Sequence, residues 1–263
     1  MDLGLNGLTA IVAGSSSGLG YAIAKTFLAE GSNVVINGLN SEKLDHAFSE
    51  LKEFMNIKVW AVQGDVTQRE NCRKIIDSAV KHFGAVDILV TNCGGPPPGM
   101  FESLSDDQWE QAINSSFKSH LFLIDESLPY LKNSNFPSVV TITSVTVKQP
   151  MANLILSNTI RAATIALTKS LSLELGNQNI RFNSILPGWT LTTRVDNLLE
   201  NRASVNESSY DFEKDKVLAD IPLGRIAEPG ELANAAVFIA SPAASYVNGV
   251  MLNVDGGLNK GLF

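Results

Sequence analysis

Short apolar runs alternate with longer segments of helical periodicity along the whole chain. The runs lie at residues 9–14, 33–37, 57–65, 86–92, 138–143, 180–188 and 250–257. In the first intervening segment Leu19, Ile23 and Phe27 recur every four residues, as on one face of a helix. Continuous apolar strands separated by helices indicate a parallel sheet that is covered on both faces. The sequence therefore predicts an α/β fold, with seven parallel strands in a single doubly wound domain over residues 1–263.

Composition excludes several classes of protein. The chain has 263 residues and a net charge of −7, which disfavours binding to a nucleic-acid backbone. No apolar run approaches the ~18 residues of a membrane helix, and the first residues lack the layout of a signal peptide. Two cysteines, Cys72 and Cys93, form neither a metal-binding nor a disulfide pattern. We expect a cytoplasmic protein with no metal site and no nucleic-acid or membrane partner.

The glycine-rich loop "AGSSSGLG" (13–20) follows the first strand and opens the first helix. Gly14 permits a tight turn, Gly18 leaves room for a pyrophosphate, and Gly20 lets the helix pack close to the sheet. The pyrophosphate would lie on the free N–H groups at the helix N-terminus. A glycine-rich turn without a ligand is the alternative, but the strand–turn–helix context favours dinucleotide binding. The other residues of the loop predicted to bind the dinucleotide are Ser16, Ser17 and Leu19.

The GxxxGxG spacing of this loop resembles that of the short-chain dehydrogenase/reductase family. Later segments are similar to the family's landmarks in the same order: "GDV" (64–66), "NCGG" (92–95), "PGWTLT" (187–192) and "NVDGG" (253–257). The resemblance covers nearly the whole chain and implies a Rossmann domain that binds NAD or NADP. Carried over residue by residue, it adds as cofactor-binding positions Asp65, Val66, Asn92, Cys93, Gly94, Pro187, Gly188, Thr190 and Thr192.

The end of the second strand bears on the choice of cofactor. An acidic residue there would bind the ribose 2′-hydroxyl of NAD, and a basic one would accept the 2′-phosphate of NADP. By the resemblance, the acidic position falls on Gly38 and the neighbouring arginine position on Leu39, which we count among the cofactor-binding residues. Ser17, Asn37 and Asn40 can hydrogen-bond either form. Without a carboxylate to repel a phosphate, the sequence slightly favours NADP over NAD.

The resemblance also implies four catalytic positions. Members of the family use a tyrosine as proton donor, a lysine four residues later, a carbonyl-polarising serine, and an asparagine that supports a proton-relay water. Ser144 follows the fifth strand, where the serine belongs. The tyrosine position, thirteen residues on, is Ser157, and the lysine position is Arg161. The asparagine position, counted from Trp109, is Ser116. One of the four family residues is therefore kept.

These replacements change the expected chemistry. A serine hydroxyl is far less acidic than a phenol, and an arginine side chain stays protonated, so the family's proton relay is not expected to operate in its usual form. Arg161 could bind a carboxylate or phosphate of a substrate, or stabilise an alkoxide. Lys148 is an alternative acid, and His120 could share a helix face with Ser116. Alternatively, Ser157 and Arg161 are ordinary residues of a helix.

Among the members of the family, the chain most resembles a subgroup of 3-oxoacyl-(acyl-carrier-protein) reductase-like proteins that lacks the standard Tyr–Lys pair. The resemblance implies an NAD(P)(H)-dependent oxidoreductase acting on a carbonyl or alcohol, with a small-molecule carbonyl or acyl-thioester substrate. It also implies a homotetramer or homodimer. The alternatives are a dinucleotide-binding sensor or assembly protein without redox activity, and an elimination or isomerisation enzyme. The polar segment 190–222 is predicted to be an irregular substrate lid.

Overall fold

The computed structural model describes residues 1–54 and 58–262, and in these ranges it contains one sheet of seven strands. The strands are β1 (Thr9–Val12), β2 (Asn33–Gly38), β3 (Val59–Gln63), β4 (Ile88–Thr91), β5 (Ser138–Ile142), β6 (Arg181–Pro187) and β7 (Met251–Val254). All neighbouring strands are parallel, in the order β3-β2-β1-β4-β5-β6-β7. The predicted fold class is confirmed. The predicted start of the third strand, residue 57, lies outside the described residues.

Helices connect the strands and cover both faces of the sheet. They are α1 (Gly18–Ala29), α2 (Ser41–Phe54), α3 (Arg69–Phe83), α4 (Asp106–Ile113), α5 (Ser119–Leu131), α6 (Ile155–Glu174), α7 (Thr193–Val205), α8 (Tyr210–Asp220) and α9 (Pro229–Ala240). None of these helices in the described part of the chain is both long enough and apolar enough to span a membrane.

The core consists of two apolar layers, one on each face of the sheet. Val12 of β1 points into the layer that packs on α1, α2 and α9. Its neighbour Ile11 points into the opposite layer, which packs on α3, α5 and α6. Because successive residues of a strand face opposite sides, a strand covered on both faces is apolar at most of its positions. This burial on both faces explains why the strands are visible in the sequence as predominantly apolar runs.

The strand order places a crevice beside β1. The chain proceeds outward from β1 to β3 and then crosses back to form β4 on the other side of β1. In such sheets ligands bind outside the carboxyl ends of the strands at this reversal. Here the residues that follow β1 and β4 meet, because Asn92 Nδ2 donates a hydrogen bond to the Gly14 carbonyl at 3.0 Å.

The segment 190–222 is largely helical, which corrects the expectation that it is irregular, while its role as a substrate lid stays a prediction. Helices α7 and α8 pack against each other through a third apolar cluster that includes Trp189, Leu199 and Val217. The buried carboxylate of Glu213 accepts hydrogen bonds from Asn206 Nδ2 at 3.0 Å and Ser208 Oγ at 2.7 Å. Polar residues of the segment 190–222 thus form hydrogen bonds with one another at the turn between α7 and α8.

Candidate active site

The glycine-rich loop is tightly packed at the reversal of strand order. A Cβ atom on Gly14 would lie 2.8 Å from the Asn92 carbonyl oxygen, and one on Gly20 would lie 2.3 Å from the Gly14 carbonyl oxygen. Both distances are shorter than real Cβ contacts allow. Gly14 also has a φ of +56°, in the left-handed region that favours glycine. These two glycines are therefore required by the backbone around them.

Gly18 and the start of α1 leave an open cradle. Gly18 has a φ of +57°, and a Cβ there would meet only the Thr192 side chain, at 3.4 Å. Ser17, the residue before α1, makes no side-chain capping bond. The N–H groups of the first turn, which have no partners within the helix, are thus available to a ligand at its positive end. This geometry fits a phosphate.

A cavity of about 720 Å³ extends from this cradle along the carboxyl ends of the strands. Of the residues predicted to bind the cofactor, those that line it are Gly14, Ser16, Ser17, Gly18, Leu19, Leu39, Asp65, Val66, Asn92, Cys93, Gly94, Pro187, Gly188, Thr190 and Thr192. Gly20 does not line the cavity; it packs α1 against the loop instead. Three of the four residues predicted to be catalytic line it too: Ser144, Ser157 and Arg161.

The end of β2 provides an uncharged wall of this cavity. A Cβ on Gly38 would lie 2.8 Å from both Cβ and Oγ of Ser16, so an acidic side chain there would displace Ser16. Asn37 Nδ2 is already bonded to the Val62 and Gly64 carbonyls, each at 3.0 Å. Asn40 Oδ1 accepts from the Lys43 N–H at 2.9 Å. Asn37 is thus engaged locally, contrary to its expected availability for the ribose, whereas Nδ2 of Asn40 has no hydrogen-bond partner among the described residues.

Ser144, Ser157 and Arg161 converge at the other end of the cavity. Ser144 follows β5, and its Oγ accepts a hydrogen bond from the Thr146 N–H at 3.2 Å. Ser157 and Arg161 lie one turn apart on α6, on the same face, and are only 8% and 7% exposed. Ser157 Oγ lies 3.2 Å from Thr146 Oγ1. The two α6 residues are therefore not ordinary surface residues of a helix.

Arg161 is anchored at the end of β5 by one arm of its guanidinium group. Its Nη1 donates to the carbonyls of Ile142, at 3.2 Å, and Thr143, at 2.9 Å. In the described part of the chain its Nε and Nη2 have no hydrogen-bond partner. The guanidinium group thus lies in the cavity wall, and its Nε and Nη2 hydrogens are available to a ligand.

Comparison with known proteins assigns the family. The family model described as "Enoyl-(Acyl carrier protein) reductase" matches residues 13–259. The chain belongs to the short-chain dehydrogenase/reductase family. It is 31% identical to the 7alpha-hydroxysteroid dehydrogenase of Escherichia coli over 256 residues, which are 97% of this chain and 96% of that one. It is 30% identical to a 3-oxoacyl-(acyl-carrier-protein) reductase of Chlamydia trachomatis over 250 residues, 95% of this chain and 96% of that one.

Solved structures agree with this assignment. The L-sorbose reductase of Gluconobacter frateurii, complexed with NADPH and L-sorbose, superposes with a TM-score of 0.93 at 31% identity, covering 100% of both chains. As a short-chain dehydrogenase/reductase, the present chain is an NAD(P)-dependent oxidoreductase acting on carbonyl or alcohol groups. The predictions of an enzyme and of its class of cofactor are confirmed.

Ser116 of this short-chain dehydrogenase/reductase lies behind the cavity rather than in its wall. A π-helical turn, Asn114–Lys118, connects α4 to α5. Ser115 lines the cavity, whereas Ser116 is fully buried, with its carbonyl accepting from Thr164 Oγ1 at 2.6 Å. Because the turn is wider than that of an α-helix, counting seven residues from Trp109 does not identify the residue that faces the cavity. A catalytic role for Ser116 stays a prediction without a contact to the cavity.

The predicted alternative acid, Lys148, also lies elsewhere. Its Nζ donates to the Met251 carbonyl at 3.2 Å, and the residue does not line the cavity. A further cationic side chain of the cavity is Arg194, which was not among the predicted site residues. This arginine stands two residues after Thr192, lines the cavity from α7, and donates from Nη2 to the Pro96 carbonyl across the cleft. Its position in the sequence, two residues after the PGxxxT segment that was predicted to bind the nicotinamide, could have identified it.

A buried histidine connects the cavity wall to β4. His120 Nδ1 lies 2.6 Å from Thr91 Oγ1, and its Nε2 lies 3.5 Å from Cys93 Sγ. Burial, followed by the positive charge of Arg161, lowers the pKa of His120 to about 3. Burial also raises the pKa of the Cys93 thiol. Both side chains are therefore neutral near pH 7, so His120 does not deliver a proton as an imidazolium.

This neutral histidine predicts a steep loss of stability in acid. Between pH 6.5 and about 3 the unfolded chain protonates His120 while the folded chain does not. The free energy of unfolding then falls as the pH falls, by up to about 1.4 kcal/mol per pH unit from this one group. We expect His120→Asn to flatten that dependence, measured by urea unfolding at pH 6.5, 5.5 and 4.5. The exposed His46→Asn serves as control and should keep the wild-type slope; parallel slopes for wild type and His120→Asn would refute the assignment.

Proposed function

We propose that this chain catalyses the NAD(P)(H)-dependent interconversion of a small carbonyl compound and its alcohol by an altered catalytic tetrad. One observation carries the proposal. Ser144, Ser157 and Arg161 lie together at one end of a cavity whose other end is a phosphate cradle. The family positions of tyrosine, lysine and asparagine are then held by Ser157, Arg161 and Ser116. A small-molecule ketone and an acyl thioester are both candidate substrates.

The described residues fit a nicotinamide dinucleotide. The open position at Gly18 and the uncapped start of α1 would hold its phosphates. Asp65 and Val66 would lie at its adenine, and the segment from Pro187 to Thr192 would lie at its nicotinamide. When bound, the cofactor supplies or accepts the hydride.

The residues at the reactive end stabilise charge rather than donate a proton. Ser144 Oγ accepts from the Thr146 N–H, so its own hydrogen is free to bind the oxygen of the substrate. The guanidinium group of Arg161 stabilises the negative charge that develops on that oxygen during reduction. Neither group is an acid matched to neutral pH, so the proton that completes the alcohol comes from water in the cavity. Ser157 and Thr146 hold that water through their paired hydroxyls.

We further propose NADP(H) as the preferred cofactor. The end of β2 carries no carboxylate to bind the ribose hydroxyls of NAD, and Gly38 has no room for one. Leu39 next to it is 69% exposed, so a 2′-phosphate at this place would remain in contact with solvent. The site can therefore accommodate the 2′-phosphate of NADP, whereas it lacks the carboxylate that would bind the ribose hydroxyls of NAD.

The prediction of a homotetramer or homodimer in the cytoplasm is retained as part of this proposal. Helix α6 exposes a row of small side chains that allows close helix packing: Ala162, Ala163, Ala166 and Ser170. The exposed Leu173 extends this face with an apolar side chain.

Titration with both dinucleotides, followed by a substrate screen, tests the proposal. Calorimetry should show binding of NADPH and NADH, with NADPH bound more tightly. The bound enzyme should then oxidise NADPH in the presence of at least one of a panel of ketones, oxo acids and 3-oxoacyl thioesters. Binding without turnover of any member would favour the dinucleotide sensor, whereas no binding of either dinucleotide would overturn both functions.

A further inference from the structure

Two arginines face the reactive end of the cavity without a carboxylate partner. Arg161 reaches it from α6 and Arg194 from α7. Across residues 1–54 and 58–262, neither guanidinium group has a carboxylate oxygen within 4.0 Å. Buried charges in proteins are normally paired, because desolvation of an isolated charge is costly. An unpaired pair of cations in a cavity therefore indicates a site for an anion.

The acidic residue of the cavity wall is too distant to neutralise them. Asp65 is the only carboxylate among the described residues that line the cavity, and it follows β3. Arg161 is bonded at the end of β5, four strands away in the sheet. With neighbouring strands about 4.8 Å apart, the separation is roughly 19 Å. Asp65 Oδ1 is moreover bonded to the N–H and the hydroxyl of Thr67, at 2.9 and 2.8 Å.

The two arginines are held in place by backbone and keep donors free. Arg161 uses only Nη1, on the Ile142 and Thr143 carbonyls. Arg194 uses Nη2, on the Pro96 carbonyl, so that in the described part of the chain its Nε and Nη1 have no hydrogen-bond partner. Burial and then the charge of Arg161 lower the pKa of Arg194, as expected for two cations sharing one space. An anion between them would relieve that repulsion and accept the free N–H groups.

We propose that Arg161 and Arg194 form a subsite for a carboxylate carried by the substrate, so that the enzyme acts on oxo acids or hydroxy acids. This inference rests on the proposed function and adds the class of substrate. The phosphates of the cofactor have their own cradle at Gly18 and α1. The apolar side chains Met151, Leu154, Trp189 and Leu198 line the same cavity and would contact the carbon chain of the acid.

Matched acids and esters test the subsite by turnover. With NADPH, wild-type enzyme should reduce acetoacetate and levulinate with a kcat/KM at least about tenfold above that of their methyl esters, because the esters cannot form charge-assisted hydrogen bonds with the arginines. Arg194→Gln should bring acid and ester within about twofold of each other while ester turnover is retained, and Arg194→Lys should recover part of the preference because the charge remains. Arg225→Gln, which removes a charge outside the cavity, is the control. Equal turnover of acid and ester by the wild type would overturn the inference and leave the proposed function intact.

Thermal unfolding gives a readout that does not depend on turnover. Acetate and malonate should raise the Tm of the wild-type protein without cofactor, and should raise that of Arg194→Gln much less. If no carbonyl compound is reduced but this difference is found, the carboxylate subsite stands and the proposed redox function fails. If Arg194→Gln weakens NADPH binding tenfold and leaves the acid preference unchanged, Arg194 binds the cofactor instead and the inference is overturned.

Discussion

Gly18→Val is expected to abolish the binding of NADH and NADPH, with a loss of affinity of about 100-fold or more. The backbone at Gly18 has a φ of +57°, which a β-branched residue rarely adopts. The added side chain would also extend from a Cβ only 3.4 Å from the Thr192 side chain, into the space that a pyrophosphate requires. Backbone strain and occlusion of the pyrophosphate site therefore both weaken dinucleotide binding in this variant. Calorimetric titration with both dinucleotides measures the effect.

Gly84→Val is the matched control for backbone strain. Gly84 has a φ of +83° at the end of α3, and a Cβ there would meet no atom within 4 Å. This variant should lose stability in thermal unfolding yet bind the dinucleotides with the wild-type affinity. If Gly18→Val folds and retains its affinity, the phosphates do not lie against this loop and the cofactor assignment is wrong.

The strands were predictable because of how they are buried. All four residues of β1 are buried, and they alternate between the two layers of the core. A parallel strand with helices on both sides is mostly apolar, so its sequence signal is nearly continuous, and polar side chains such as Thr141 and Ser184 are accommodated by bonding each other at 2.7 Å. Fixed loops such as the one from Gly14 to Gly20 were predictable for another reason. Two of their glycines are required by close backbone contacts: a Cβ on Gly14 would lie 2.8 Å from the Asn92 carbonyl oxygen, and one on Gly20 would lie 2.3 Å from the Gly14 carbonyl oxygen.

Helices α7 and α8 were missed because their stabilising contacts are few or polar. The first buries only Val195 and Leu199 in full, and the second buries Val217 and the carboxylate of Glu213. The N–H groups and hydroxyls that bind Glu213 come from the turn before α8, so a segment rich in Asn, Ser and Glu looks irregular in sequence. A polar composition indicates a loop only when its polar groups bind water rather than one another.

The reactive end was only partly predictable, since its residues meet through long-range contacts. The spacing from Ser144 to Ser157 and Arg161 placed three side chains correctly in the cavity wall. Ser116 does not line the cavity, because a π-helical turn changes which residue faces it, and the sequence alone does not reveal such a turn. Arg194 donates to the Pro96 carbonyl, which lies almost a hundred residues earlier in the chain, so that no local pattern in the sequence reveals the contact.

Ser157→Tyr combined with Arg161→Lys is expected to raise kcat/KM for simple ketones by about 100-fold, the lower part of the range for general acid catalysis. Ser157 lines the cavity, so a tyrosine there would extend its hydroxyl into the open space beside Ser144. A lysine at position 161 would lie one turn away and can donate to the Thr143 carbonyl, which Arg161 now binds. A simple ketone carries no carboxylate to lose, and a lysine at position 161 keeps a positive charge near the carbonyl oxygen that Arg161 now stabilises.

The variant Ser157→Phe with Arg161→Lys separates proton donation from the added volume of the ring. It places the same aromatic bulk in the cavity without a hydroxyl, and it should show no gain in turnover. The Tyr variant should also acquire a pH dependence of kcat/KM that the Phe variant lacks, because only the phenol titrates. Both variants must bind NADPH as the wild type does, so that the comparison reports chemistry rather than cofactor affinity. A Tyr variant that folds and binds NADPH but is no more active than the Phe variant would show that the altered tetrad is not what limits the turnover of simple ketones.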